Sequence, residues 1–249
     1  SSEFVSIPGK LAIGQNTATY NVDVVGDINF TGTLYQNGSA FSSGASSLDG
    51  LSDVKFGGTN FTDSLKIGDT TTGTLSSAEN NIGIGKDSLQ SVTSGIRNVA
   101  LGNRSLKNLT SSSKNTAIGS FSLLNVSSGS SNNTALGDSS LYNLTTSSTD
   151  NTAVGYRALY NLTSSSTYNT SVGSYSLYTA NSSANYNTAI GYRALYNGTN
   201  DSNCAFGYDS LKNTTTGQYN TAMGFQSGIT NTTGNYNTYI GYAADTNAN

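Results

Sequence analysis

Tyrosine is the residue type in this chain whose number and spacing invite a chemical reading, with 16 copies in 249 residues. Tyr156, Tyr192, Tyr208 and Tyr242, together with Phe225, each follow a glycine directly, while Tyr142, Tyr160, Tyr178 and Tyr196 each follow a leucine. A ring with an apolar face and a hydroxyl tip suits contact with a sugar or a protein surface. The four tyrosines that follow glycine are therefore the candidate receptor-contact residues. The competing expectation, which we take as primary, is that the rings stack on one another and stiffen the chain. Catalysis has less to draw on. His and Trp are absent, Cys204 is the single cysteine, and Asp138, Asp150, Asp201 and Asp209 fall at variable positions with no recurring pair. No general base, cysteine–histidine pair, zinc site or intrachain disulfide is expected from such a set, so we expect neither an enzyme nor a bound cofactor.

The elements that hold these rings come from a repeat. The segment Asn-Thr-Ala-Ile-Gly, or a close variant, ends at Gly85, Gly102, Gly119, Gly137, Gly155, Gly173, Gly191, Gly207, Gly224 and Gly241, at intervals of 16 to 18 residues. A fixed period of this size marks a solenoid, whose units lean on their neighbours and cannot close a core alone. The residue before each glycine is apolar, and a leucine follows four residues after it in eight of the ten units. Gly228 and Asp245 take that place in the last two. From the opening Asn to that leucine the spacing is constant, so all length variation falls in a Ser/Thr-rich half that behaves as a surface loop. Glycine, Asn and β-branched residues argue against helices. The expectation is an all-β parallel β-solenoid or β-roll of about ten repeats, each unit built as strand, turn, strand. At about 4.8 Å per rung, ten rungs would give a rod of roughly 48 Å.

Residues 1–41 read as a separate N-terminal β module, with Val22, Val24, Ile28, Phe30 and Leu34 alternating with polar residues. Residues 42–78 read as a Ser/Gly linker and a capping transition, in which Gly68 lies 17 residues before Gly85 and suggests a degenerate opening rung. Residues 79–249 are the repeats. The Asn that opens each unit, including Asn115, Asn133, Asn151, Asn169, Asn187, Asn203, Asn220 and Asn237, would stack as a structural amide ladder. A column of Thr, from Thr116 to Thr238, resembles that of flat ice-binding solenoids, but it should share a covered face with the pre-glycine aliphatics. The residue two before each glycine is small in nine of ten units, from Gly83 to Ala222. On an alternating strand it would point away from the aliphatic residue, and its smallness suggests a face pressed against another chain. A thin core of two aliphatics per unit also argues for an oligomer, most simply a homotrimer.

The unit Asn-Thr-Ala-apolar-Gly-x-x-small-Leu resembles the head repeats of YadA-like trimeric autotransporter adhesins. The longer form Asn-Thr-Ala-Ile-Gly-Tyr-Arg-Ala-Leu-Tyr-Asn, at Asn151–Asn161 and Asn187–Asn197, is similar to repeats of phage tail fibres, as are Val24–Gly38 and Leu48–Val54. The resemblance implies a homotrimeric fibre on a virion surface or outside the cell, joined to other virion or fibre components and touching a host glycan or protein. Its alternatives are a passive filament or sheath protein and a bacterial trimeric surface adhesin. Such fibres often carry a C-terminal self-cleaving chaperone, which nothing up to Asn249 resembles, and Ser1 in place of an initiator Met suggests a processed piece. With a net charge of −3 and no run of about 18 apolar residues, neither nucleic acid nor membrane insertion is expected.

Overall fold

The computed structural model describes residues 54–68, 71–181 and 184–245, and the backbone of 35–36 and 39–40. Strands β1 (Tyr35–Gln36) and β2 (Ser39–Ala40) pair antiparallel in a unit spanning residues 1–44. The strand expected around Val22 to Leu34 and the Ser/Gly linker lie outside the described residues. A second unit, residues 45–249, contains the repeats.

It is all-β, with no helix among the described residues. After β3 (Val54–Phe56), β4 (Phe61–Thr62), β5 (Leu65–Ile67) and β6 (Ala78–Glu79) come ten three-residue strands. These are β7 (Ile82–Ile84), β8 (Val99–Leu101), β9 (Thr116–Ile118), β10 (Thr134–Leu136), β11 (Thr152–Val154), β12 (Thr170–Val172), β13 (Thr188–Ile190), β14 (Cys204–Phe206), β15 (Thr221–Met223) and β16 (Thr238–Ile240). One sheet of 12 strands runs from β16 down to β7, then β5 and β3. Its pairings are parallel except that between β3 and β5, and β4 pairs with β6 in a separate small sheet. Equivalent residues lie side by side: Thr134 beside Thr152, Ala135 beside Ala153, Leu136 beside Val154. The chain is thus a parallel β-solenoid of about ten turns, and β5 is an opening rung in register with β7.

Each strand stops because the glycine after it turns the chain with φ between +123° and +142°, a conformation that side chains disfavour. The second arm of each unit, expected as a strand, is a stacked turn. Its leucines sit at φ between +46° and +52°, and the residues two before them at φ between +52° and +59°. Hydrogen bonding between rungs continues through this arm, for example from Leu141 N to Ala158 O at 3.0 Å. Two left-handed residues per arm curl the backbone so that the leucine enters the core, where all eight are fully buried.

The strand faces are the reverse of those read from sequence. Ala100, Ala117, Ala135, Ala153, Ala189, Ala205 and Ala222 line the interior with no exposure, whereas Leu101, Leu136, Phe206 and Met223 point outward and are 43–51% exposed. The cause is the thinness of the roll. A Cβ placed on Gly83 would already stand 3.2 Å from Leu89 Cδ1, so a methyl group fills the space that an isobutyl group would overfill. Small residues there reflect the chain's own core and not a partner. A third core column escaped the sequence reading: Val92, Leu109, Val126, Leu144, Leu162 and Ala180 are all fully buried three residues beyond the leucines.

The ends of the stack depart from the repeat for steric reasons. At the first rung Lys66 occupies the alanine column, fully buried, with its ammonium donating to the Thr71 carbonyl. The next residue in that column is Gly83, whose missing Cβ leaves room for the lysine stem. At the last rung Tyr239 takes the alanine position, and Gly228 stands where the preceding unit would carry leucine. A Cβ on Gly228 would meet the Tyr239 ring at 2.7 Å, so the ring fills the space of the missing isobutyl group and closes the core. Tyr239→Ala should lower stability by about 2–3 kcal/mol through the cavity it opens. Adding Gly228→Leu should recover part of that loss while being harmful alone, a coupling that urea denaturation of the four-member cycle reads directly.

Candidate binding surface

Two kinds of ladder mark the solenoid, one running its whole length inside and the other covering four-rung stretches of its surface. The interior ladder is made by the Asn that opens each unit. In Asn115 and Asn133, the backbone N–H and Nδ2 of the later residue both donate to Oδ1 of the earlier one, at 3.0 and 3.1 Å. Asn133 Nδ2 also donates to the Ser148 carbonyl, on the stretch leading into the next rung, at 2.9 Å. The same N–H to Oδ1 contact links Asn81, Asn98, Asn115, Asn133, Asn151, Asn169, Asn187, Asn203, Asn220 and Asn237 without a break. Ser64 Oγ supplies the acceptor for Asn81 at the opening rung. These amides are buried, apart from the half-buried Asn237 at the end, and hold neighbouring rungs together rather than facing a ligand.

The surface ladders are aromatic. Tyr192, Tyr208, Phe225 and Tyr242 stack in one column at centroid spacings of 5.2–5.3 Å. Tyr142, Tyr160, Tyr178 and Tyr196 stack in a second at 5.0–5.4 Å. Parallel, offset rings at this spacing are favourable and match the rung repeat. Burial pushes the Tyr160 phenol above its ordinary value, the neighbouring Tyr142 acts in the same sense, and Arg157 partly opposes them. The candidate contact residues Tyr156, Tyr192, Tyr208 and Tyr242 all remain exposed at their rims. They do not form one continuous set. Ser174 takes the position after the glycine between Tyr156 and Tyr192, and Tyr175 stands between those rings edge-on to both, at 5.3 and 6.3 Å.

Beside this interruption the surface opens into a cleft of about 400 Å³ lined by Tyr175, Tyr192, Arg193, Tyr196 and Lys212. Arg193 lies over the Tyr192 ring at 4.8 Å and donates from Nε and Nη2 to the two oxygens of Asp209, each at 2.8 Å. The hydrogen bond and charge of Asp209 raise the Arg193 pKa, against a smaller opposing effect of burial. Lys212 reaches the same carboxylate at 3.5 Å. In the sequence these residues look like ordinary variation within the repeat. Lys212 follows Leu211 as Tyr196 follows Leu195, and the rung register sets the two side by side.

The Thr column was expected to be covered, yet Thr116, Thr134, Thr152, Thr170, Thr188 and Thr221 are half-exposed on the outer strand face beside the aliphatic column. Together the two columns make an outward sheet face, ten rungs long, of Thr and aliphatic residues. Its side-chain volumes change from Val154 to Phe206 and Met223, which spoils the even lattice that ice matching would need. A search for similar proteins found no matching family model, curated protein or solved structure.

Proposed function

We propose that this chain is a structural fibre protein, the shaft or adhesive part of a homotrimeric viral tail fibre that contacts a host surface. The observation that carries this reading is the outward Thr/aliphatic face. Two columns of ten rungs span about 48 Å by about 7 Å. With the flanking rings they form an outward strip, aliphatic along one column and threonine along the other, on the scale at which exposed patches mark association sites. Registered copies of one chain would cover one another's strips, because each presents the same column at the same spacing. The sequence resemblance to tail-fibre and adhesin repeats points the same way, and a rod with aromatic flanks suits display away from a particle.

Sedimentation equilibrium of the full chain at micromolar concentration should give three times the monomer mass. The outward pair Ile118→Lys and Leu136→Lys should give monomers that keep the β-rich circular dichroism spectrum. A monomeric native chain would overturn the reading. A second reading, a passive filament, is favoured by the fact that the stacked rings already satisfy one another's faces. If the purified trimer fails to block particle attachment to host cells, the passive reading stands.

A further inference from the structure

We propose that the cleft at Tyr196 and Lys212 is a saccharide site selective for an acidic pyranose such as a uronic acid. The inference rests on the attachment reading only in supposing that the surface touched is a glycan; the cleft itself stands on its own geometry. Within its column Tyr196 has an aromatic neighbour on one side alone, Tyr178 at 5.2 Å. One rung further, where another ring would continue the stack, the chain places Lys212. The column of rings therefore ends at Tyr196 with an ammonium group one rung on, and both residues line the cleft.

Each lining group has a matching feature on an acidic sugar. The apolar C–H face of a pyranose packs on a tyrosine ring, and phenol hydroxyls at Tyr175, Tyr192 and Tyr196 can exchange hydrogen bonds with sugar hydroxyls. A carboxylate is met by Lys212 and by Arg193, whose Nη1 donors have no protein partner among the described residues. Asp209 is buried and neutralises one of the two cations, which leaves one positive charge at the cleft. That excess selects an anion, while the chain's net charge of −3 works against a long polyanion such as nucleic acid. The comparison within the molecule is instructive. Asp87, Arg104 and Lys107 form a similar charged trio, with contacts of 3.2 and 3.3 Å, but on the rungs either side of Lys107 the same column carries Gln90 and Leu124 in place of a tyrosine.

The test is calorimetric titration of the full chain with a galacturonic acid trimer, a neutral galactose trimer and a tri-glutamate peptide. The acidic sugar should bind with one site per chain, and the two controls at least tenfold more weakly. Lys212→Gln should weaken the acidic sugar about tenfold, the scale of one charged hydrogen bond. Tyr196→Ser should weaken it similarly, and Lys107→Gln should leave it unchanged. Absence of binding, equal binding of the neutral trimer or the peptide, or indifference to Lys212→Gln would each overturn the proposal. Sedimentation on the same samples keeps the two readings apart. Binding by a monomeric chain would sink the fibre assignment and leave the cleft, and a trimer that binds no acidic sugar would do the reverse.

Discussion

Replacing Gly155 with alanine is expected to break the solenoid at that rung, lowering stability by more than about 4 kcal/mol. Two costs act together. Gly155 holds φ at +133°, which an L side chain rarely adopts, and a Cβ there would lie 2.7 Å from both the carbonyl carbon and oxygen of Gly173. The obstacle is backbone, so no side-chain rotation relieves it, and the neighbouring rung must move. Because each rung is bonded only to the next, a shift there propagates along the stack rather than dissipating in a broad core. Gly129→Ala supplies the control. Its φ of +69° lies in the region that ordinary residues can enter, and the nearest atom is 3.6 Å from the added Cβ. That variant should lose only about 1 kcal/mol. Thermal melting of the two variants, with hydrogen exchange to locate the opened rungs, distinguishes them. Equal melting temperatures would show that the glycine column is not what sets the rung spacing.

The same geometry explains what is legible in the sequence alone. Period and polarity identified the solenoid because a stacked rung repeats its steric demands: the glycine turn, the buried amide and the core leucine recur at Gly155, Asn151 and Leu159 as they do elsewhere. Which strand face is inside was not legible by the same route. Alternation distinguishes Ala153 from Val154 but does not say which is buried, and the common assumption that larger apolar residues go inside fails in a roll this narrow. The interior leaves room for a methyl group opposite leucine, so the larger residue is excluded to the surface. The signal was present in another form. Smallness in nine of ten units beside size variation from Val to Phe marks the confined column as the one that varies least. The second arm was misread for a related reason. Leucine is uncommon at positive φ, so a turn carrying eight of them is not suggested by residue type, and only stacking with its neighbours holds each one there.

The cleft was harder still, because it forms where neighbouring rungs differ: Ser174 interrupts the post-glycine rings, Tyr175 stands between Arg157 and Arg193, and Lys212 follows Tyr196. Taken singly each looks like tolerated variation on a surface. Placed in register, Tyr175 and Lys212 fall on the rungs either side of Tyr192, Arg193 and Tyr196 and wall one concavity with them. In a repeat protein the regular positions report the scaffold, and clustered irregularities are where individual function has room to arise. Tyr239 and Gly228 warn against applying that rule without contacts, since they too break the pattern together and do so to close the core.

Removal of one rung of the amide ladder is the second large effect, since it acts on several buried groups at once. Asn151 accepts from the N–H and Nδ2 of Asn169 at 3.1 and 2.9 Å. Its own Nδ2 donates to Asn133 Oδ1, the Thr149 carbonyl and the Ser166 carbonyl at 2.9–3.1 Å. Asn151→Ala deletes all of these and leaves the Asn169 backbone N–H and the Ser166 carbonyl without partners in a buried site, while Asn169 Nδ2 keeps the Thr167 and Ala184 carbonyls. At 1–3 kcal/mol for each group left unsatisfied, the expected loss is about 2–6 kcal/mol. Asn151→Asp sharpens the test through pH. A carboxylate would keep the acceptor for Asn169 but would face the oxygens of Asn133, Thr149 and Ser166, so burial and those acceptors favour its protonated form and raise its folded pKa. The unfolded value is about 3.9. The folded state then holds the proton longer than the unfolded one, and stability falls as pH rises from about 4 through the folded value. Asn151→Asp should therefore be more stable at pH 4 than at pH 7 relative to the native chain, as measured by urea midpoints. A pH-independent difference would mean that the ladder tolerates charge, and that the backbone bonds between rungs, rather than the amides, hold the stack together.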